Sequence, residues 1–267
     1  MNKAILLGTT SIVAAFAMLA IGFLAGKPAA IADDSPQMAQ ATMNRAEVEQ
    51  IVRDYLVANP EILSEMQAAL DAKEKEEQRI ASLQVIDENR ADIFQSVHDG
   101  IVGNPDGKIT IVEFYDYNCG FCKRAQDDML ALTAENPNLR FVLKEFPILG
   151  PDSQKAHVVS QAFQNLMPEK YAQFHNELLG SRSRASEASA MKVALSLGAD
   201  EAALREAMKD PKIVDTFNKT YDLANKLAIT GTPSYVVGNE VVFGALGKDV
   251  LSEKIAAAEA ACKADAC

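Results

Sequence analysis

The sequence predicts an α/β chain with a large helical block, preceded by a separate helical segment. Three observations predict it. Residues 108–116, KITIVEFYD, make a β-rich, mostly apolar run that suits a strand covered on both faces. Residues 153–228 are helical in pattern almost throughout. Residues 45–97 carry narrow apolar stripes that cannot enclose a core alone.

At the N-terminus, Lys3 and Lys27 are the only charges in the first 32 residues, and Ala30-Ile31-Ala32 gives a small-x-small pattern before Asp33-Asp34. This predicts a signal peptide over 1–32. An uncleaved anchor is the alternative, because the uncharged stretch from Ala4 to Gly26 is long enough to span a bilayer. Either delivers the rest of the chain to an oxidising compartment, where disulfides persist. Residues 33–44 lack apolar periodicity and read as a flexible tether.

Val48, Ile51, Val52 and Tyr55 then fall at i, i+3, i+4 and i+7 of a helix. Asn59-Pro60 predicts a restart, with Asn59 as N-cap and Pro60 at the first helical position. Ile62, Leu63, Met66 and Leu70 form a second stripe, and the charged run 71–79 reads as a solvated connector continued by Ile80, Leu83 and Ile86. After the turn cluster at 104–107 come the strand 108–116, a helix over 119–135 stopped by Asn136-Pro137, and a strand over 139–146. The helical block 153–228 breaks at Met167-Pro168, 180–186, Gly198 and Asp210-Pro211. A hairpin of 234–238 and 240–243 turns at Gly238-Asn239, and a helix over 248–261 closes the chain.

Of 267 residues, 48% are apolar and 24% charged, which excludes disordered and multispan membrane classes. Beyond the first 32 residues, 24 of the 26 basic side chains face all 37 acidic ones, so nucleic acid is not an expected partner. Four cysteines are too few for a disulfide-stapled miniprotein.

The chemistry lies in Cys119-Gly120-Phe121-Cys122, where a strand hands over to a helix. Unpaired amides and the helix dipole favour a thiolate at the first cysteine, with a pKa of roughly 3.5–7.5. Cys122 sits one turn further in, better shielded. Lys123 and Arg124 add positive charge nearby, opposed by Asp116, Asp127 and Asp128. Half a zinc site has the same spacing, so a thiolate metal carrier using Cys119, Cys122, Cys262 and Cys267 is the competing class.

The run Glu113-Phe114-Tyr115-Asp116-Tyr117-Asn118-Cys119-Gly120-Phe121-Cys122-Lys123, with Gly231-Thr232-Pro233 downstream, resembles the DsbA-like thioredoxin-fold oxidoreductases of bacterial periplasms over about residues 94–261. The resemblance implies a thioredoxin domain over 98–267 with a helical domain inserted at about 153–228. It implies a redox-active disulfide between Cys119 and Cys122, and a cis Pro233 beside it. Protein substrates bearing cysteines or disulfides would pair with the Thr232 backbone. A membrane redox partner would reset the disulfide. No cofactor and no metal are expected. The family has an acid at Glu113, which reads as a proton relay; the alternative is a carboxylate at a solvated strand edge. Lys144 on the next strand is its candidate counter-charge.

Within the family, Ile51-Val52-Arg53-Asp54-Tyr55-Leu56 followed by Asn59-Pro60-Glu61-Ile62-Leu63 resembles the N-terminal segment of the ScsC-like branch, as does Lys144-Glu145-Phe146-Pro147-Ile148-Leu149-Gly150-Pro151-Asp152-Ser153. That likeness implies an N-terminal helical oligomerisation segment over 45–97, with a trimer ahead of a dimer. Gly120-Phe121 offers the first sulfur neither charge nor donor, which predicts a less oxidising disulfide and favours an isomerase or reductase over a dithiol oxidase. Cys262 and Cys267 read as a local structural disulfide, with a frayed tail as the alternative. His98, His157 and His175 show no metal spacing and read as surface or packing residues.

Overall fold

A computed structural model describes residues 44–264, with side chains through Ala260. The predicted signal over 1–32, nearly all of the 33–44 tether, and the Cys262 and Cys267 side chains lie outside the described residues. The chain divides into two compact units between Ile62 and Leu63.

In the first unit, α1 (Arg45–Ala58) starts in a capping box. The Asn44 side chain accepts from the Glu47 amide at 3.0 Å, and the Asn44 amide donates to the Glu47 carboxylate at 3.1 Å. Val48, Ile51, Val52 and Tyr55 form the expected stripe, and no residue of α1 is buried. Asn59 departs from expectation. Its side-chain amide donates back to the Tyr55 carbonyl at 2.8 Å, so it caps the end of α1 rather than the start of the next helix.

The following helix, α2 (Glu61–Glu88), exposes Leu63, Met66, Leu70 and Ile80. Its last turns differ. Ile86, together with Ile93 of α3 (Arg90–Phe94), is fully buried against the sheet. The 45–97 segment is therefore not a free-standing arm along its whole length: its last third completes the core of the second unit.

That unit is organised around a five-stranded sheet in the order β1-β3-β2-β4-β5. Its strands are β1 (Gly100–Gly103), β2 (Ile109–Tyr115), β3 (Leu139–Glu145), β4 (Ser234–Val237) and β5 (Glu240–Phe243). β2 runs parallel to β3 and antiparallel to β4, which places it at the centre. β1 was not expected from the sequence; it pairs antiparallel with β3 at one edge. Gly100 is needed there because a Cβ would overlap the Tyr171 ring. Gly238 takes a φ of +57° in the β4–β5 turn.

Alternation along β2 and β3 builds two cores. Ile111, Tyr115, Phe141 and Leu143 face α4 (Gly120–Glu135), α10 (Lys248–Ala264) and the helical insertion. Val112, Phe114 and Val142 face Ile86, Ile93 and the end of α9. The insertion comprises α5 (Pro151–Leu166), a 3-10 turn (Pro168–Lys170), α6 (Tyr171–Leu179), α7 (Glu187–Ser196), α8 (Glu201–Ala207) and α9 (Pro211–Lys226), with breaks where the sequence predicts them. No helix among the described residues is long and apolar enough to cross a membrane.

Candidate active site

The central strand ends at Tyr115, and four residues later Cys119 caps α4. Its amide donates to the Asp116 carbonyl at 2.9 Å, which tightens the turn. Its sulfur accepts from the Cys122 amide at 3.5 Å and lies 3.1 Å from the Thr232 carbonyl oxygen. The Thr232-Pro233 bond is cis. Residues more than a hundred positions apart thus meet at one sulfur.

Electrostatics separate the two cysteines. The Cys119 thiol is pushed down to about 5, first by a hydrogen bond from the Cys122 thiol, then by Thr232 and the amides of Cys122 and Phe121, against the opposing effect of burial. Cys122 is pushed far above the usual thiol range, by burial first, then by its bond to Cys119 and the charge of Glu113. Both are free cysteines here. Phe121 between them is 57% exposed, with the Arg124 guanidinium 4.3 Å over its ring.

Glu113 lies on the central strand, buried, which removes the solvated-edge alternative. Burial, then the negative charge of Cys119, pushes its carboxyl up to about 8. The suggested counter-charge is wrong. In register, Glu113 opposes Leu143, whereas Lys144 opposes Phe114 and so points to the other face of the sheet. There it pairs with Asp99 and donates to the Asp92 carbonyl.

The sequence marks Asp116 and Lys123 only as nearby charges and does not show how they and Asn118 hold the loop around Cys119. The fully buried Asp116 carboxylate accepts from the Asn118 amide at 2.7 Å, the Ser153 hydroxyl at 2.8 Å and the Leu149 amide at 2.9 Å. Asn118 pairs with the backbone of Ala185 in both directions, at 2.8 and 2.9 Å. Lys123 donates to the Ser181 carbonyl at 2.6 Å. These bonds stitch the active-site turn to the insertion. The available signal was a cluster of Asp and Asn beside a CxxC, which is a common turn composition. His157 and His175, read as surface or packing residues, are both fully buried beneath the same turn.

Residues 110–256, more than half of the chain, match the DSBA-like thioredoxin domain. The chain belongs to the DSBA-like thioredoxin domain family. Residues 44–77 additionally match the copper resistance protein ScsC N-terminal domain. A thioredoxin-like oxidoreductase from Silicibacter pomeroyi DSS-3 is 34% identical, with 64% of this chain and 98% of that one covered and a TM-score of 0.61. BcfH from Salmonella enterica Typhimurium is 27% identical, with 80% and 95% covered and a TM-score of 0.69. A curated relative, Na(+)/H(+) antiporter NhaA 3 of Salinispora tropica, is 23% identical over 62% of this chain; the chain spans only 25% of that protein. The DSBA-like assignment accounts for the strand–CxxC–helix order and the helical insertion, and it makes the chain a member of a thiol–disulfide oxidoreductase family.

Proposed function

We propose that this protein is a periplasmic thiol–disulfide oxidoreductase that rearranges or reduces disulfides in exported proteins. The observation that carries the reading is the separation of the two thiols: Cys119 ionises near 5 at a helix N-cap, while buried Cys122 keeps its proton. The Cys119 thiolate attacks a substrate disulfide, forms a mixed disulfide and expels one substrate thiolate. In isomerisation, a substrate thiolate attacks that mixed disulfide and regenerates Cys119. In reduction, Cys122 gives up its proton and attacks the Cys119 sulfur; the second substrate thiolate leaves, and Cys119–Cys122 is oxidised. A membrane redox partner then returns two electrons to it.

Glu113 serves the second step. The Cys119 thiolate holds Glu113 protonated; forming the mixed disulfide removes that charge, so the carboxyl ionises more readily when Cys122 must lose its proton. Thr232 and Pro233 offer backbone to an extended substrate. Phe121, Leu149 and Leu246 are exposed on segments tied to this turn, an apolar rim suited to unfolded chains. A four-thiolate metal carrier fits poorly, because it gives no use to the cis Thr232-Pro233 bond beside Cys119. One observation favours a dithiol oxidase as the second reading: the pull on Cys119 comes from Cys122 first, then Thr232 and the local amides, so the neutral side chains of Gly120-Phe121 do not prevent a stabilised thiolate.

The exposed stripe of α1 and early α2 supports self-association, with a trimer ahead on the match to the ScsC N-terminal domain. Several Cys119 sites on one assembly raise the local concentration that isomerisation needs. Replacing Ile51 and Tyr55 by Asp in the full chain should give a monomer by light scattering that still reduces a small disulfide at about the unsubstituted rate and loses most reactivation of a scrambled protein. A monomeric unsubstituted protein, or a monomeric variant with undiminished reactivation, would refute the isomerase role of the arm.

A further inference from the structure

Beneath the nucleophile's turn lies a buried polar network that thiol exchange itself does not use. Glu145 ends β3 and is buried. Its Oε2 lies 2.8 Å from His157 Nδ1, and its Oε1 accepts from the Ser160 hydroxyl at 2.6 Å and the Tyr171 hydroxyl at 3.4 Å. The other imidazole nitrogen, His157 Nε2, accepts from the backbone amide of Tyr117 at 3.3 Å. An imidazole that accepts at Nε2 carries its proton on Nδ1, where Glu145 takes it. The two contacts therefore select one tautomer and one ring orientation. Tyr117 lies two residues before Cys119, between Asp116 and Asn118, each anchored by the bonds described above. The Tyr117 hydroxyl is also held, 2.9 Å from Ser160 and 3.1 Å from Tyr115.

The groups facing His157 are Glu145 from β3, Tyr115 and Tyr117 from the central strand and its extension, Phe217 from α9, and, through its charge effect, His175 from α6. His175 is kept neutral chiefly by burial, with its titration lowered to about 3. Filling this volume with apolar side chains would avoid the cost of burying a carboxylate and two imidazoles. What apolar side chains could not supply is an acceptor at the Tyr117 amide.

We propose that Glu145 and His157 are positioning residues for thiol exchange. The carboxylate orients the imidazole, the imidazole holds the Tyr117 amide, and the turn then presents Cys119 to the Cys122 amide and the Thr232 carbonyl. This deepens the exchange reading and rests on it. A small displacement of the turn alters the donor distances at the Cys119 sulfur, and with them the ionisation of the thiol and the balance between dithiol and disulfide.

The test uses the full chain with His157→Gln and His157→Leu. The glutamine carbonyl reaches about as far as Nε2 and can accept from the Tyr117 amide; leucine cannot. The Leu variant should raise the Cys119 thiolate titration, read from ultraviolet absorbance, by about half a pH unit or more. Its glutathione equilibrium constant should change about threefold or more, and Gln should recover over half of both changes. Two folded variants with unsubstituted values would overturn the proposal. Should the Leu variant not fold, the unsubstituted protein decides: the nitrogen-15 resonances of the Tyr117 amide and His157 Nε2 should shift on oxidation of Cys119 and Cys122, and unmoved resonances would overturn it equally. An unsubstituted protein that does not exchange with glutathione would instead defeat the exchange reading.

Discussion

Glu113 and Glu145 sit on neighbouring strands, facing the same side of the sheet, and both are buried. Glu145 has three donors around it, from His157, Ser160 and Tyr171. Both influences that set the Glu113 carboxyl, burial and the Cys119 charge, push it upward. The difference separates two uses of a buried acid. One surrounded by donors holds its neighbours in place; one left without a counter-charge exchanges its proton near neutral pH, which is what a relay beside a thiol pair needs.

The largest expected effect is on Glu145. Glu145→Leu strands three buried donors and should cost about 3–5 kcal/mol in urea unfolding. A cost of less than about 1 kcal/mol would mean that the network fixes nothing. Glu113→Gln should act in the opposite direction. The folded carboxyl, raised to about 8 from 4.5, binds its proton more tightly than the unfolded one. The stability it contributes is therefore present below the unfolded pKa and is lost as pH rises through the folded one. The Gln variant should gain on the order of 2–4 kcal/mol over the unsubstituted protein at pH 9, gain nothing at pH 4, and accumulate mixed disulfides with substrate. An equal effect at both pH values would break the contrast with Glu145. The smallest expected effect sharpens it. Alkylation of Cys119 should fall about tenfold per pH unit below its titration near 5. Glu113 is protonated there, so Glu113→Gln should move that midpoint by less than about 0.3 unit. A larger displacement would place a charge on Glu113 in acid and contradict its raised titration.

What was legible in the sequence was whatever alternation, helical period and turn residues encode. The run around Ile111 and Val112, the CxxC at a helix start, every break in the insertion and the Gly238 hairpin belong to that class. β1 escaped because Gly100-Ile101-Val102-Gly103 is too short to show a period and gains its place by pairing with β3. Lys144 was misassigned because strand register is a tertiary property: one residue of offset sends a side chain to the opposite face. Ile86 looked like the fading end of an arm until packing against Val112 and Phe114 made it core. The site was legible at Cys119, Cys122, Thr232 and Pro233, which carry motif. Ala185 and His157 carry none, since each acts through two hydrogen bonds whose partners lie 12 to 67 residues away.

The bond from Asn118 to Ala185 and the contact from Cys119 to Thr232 have a consequence in time. During synthesis, Cys119 emerges well before either partner, and a nascent chain without them carries two thiols in ordinary surroundings, mostly protonated at neutral pH. Only after Thr232 has arrived and β4 has paired with β2 are the folded surroundings of the sulfur complete. The surroundings of Cys119 are thus among the last features the polypeptide gains, although the sulfur itself is made near the middle of the chain.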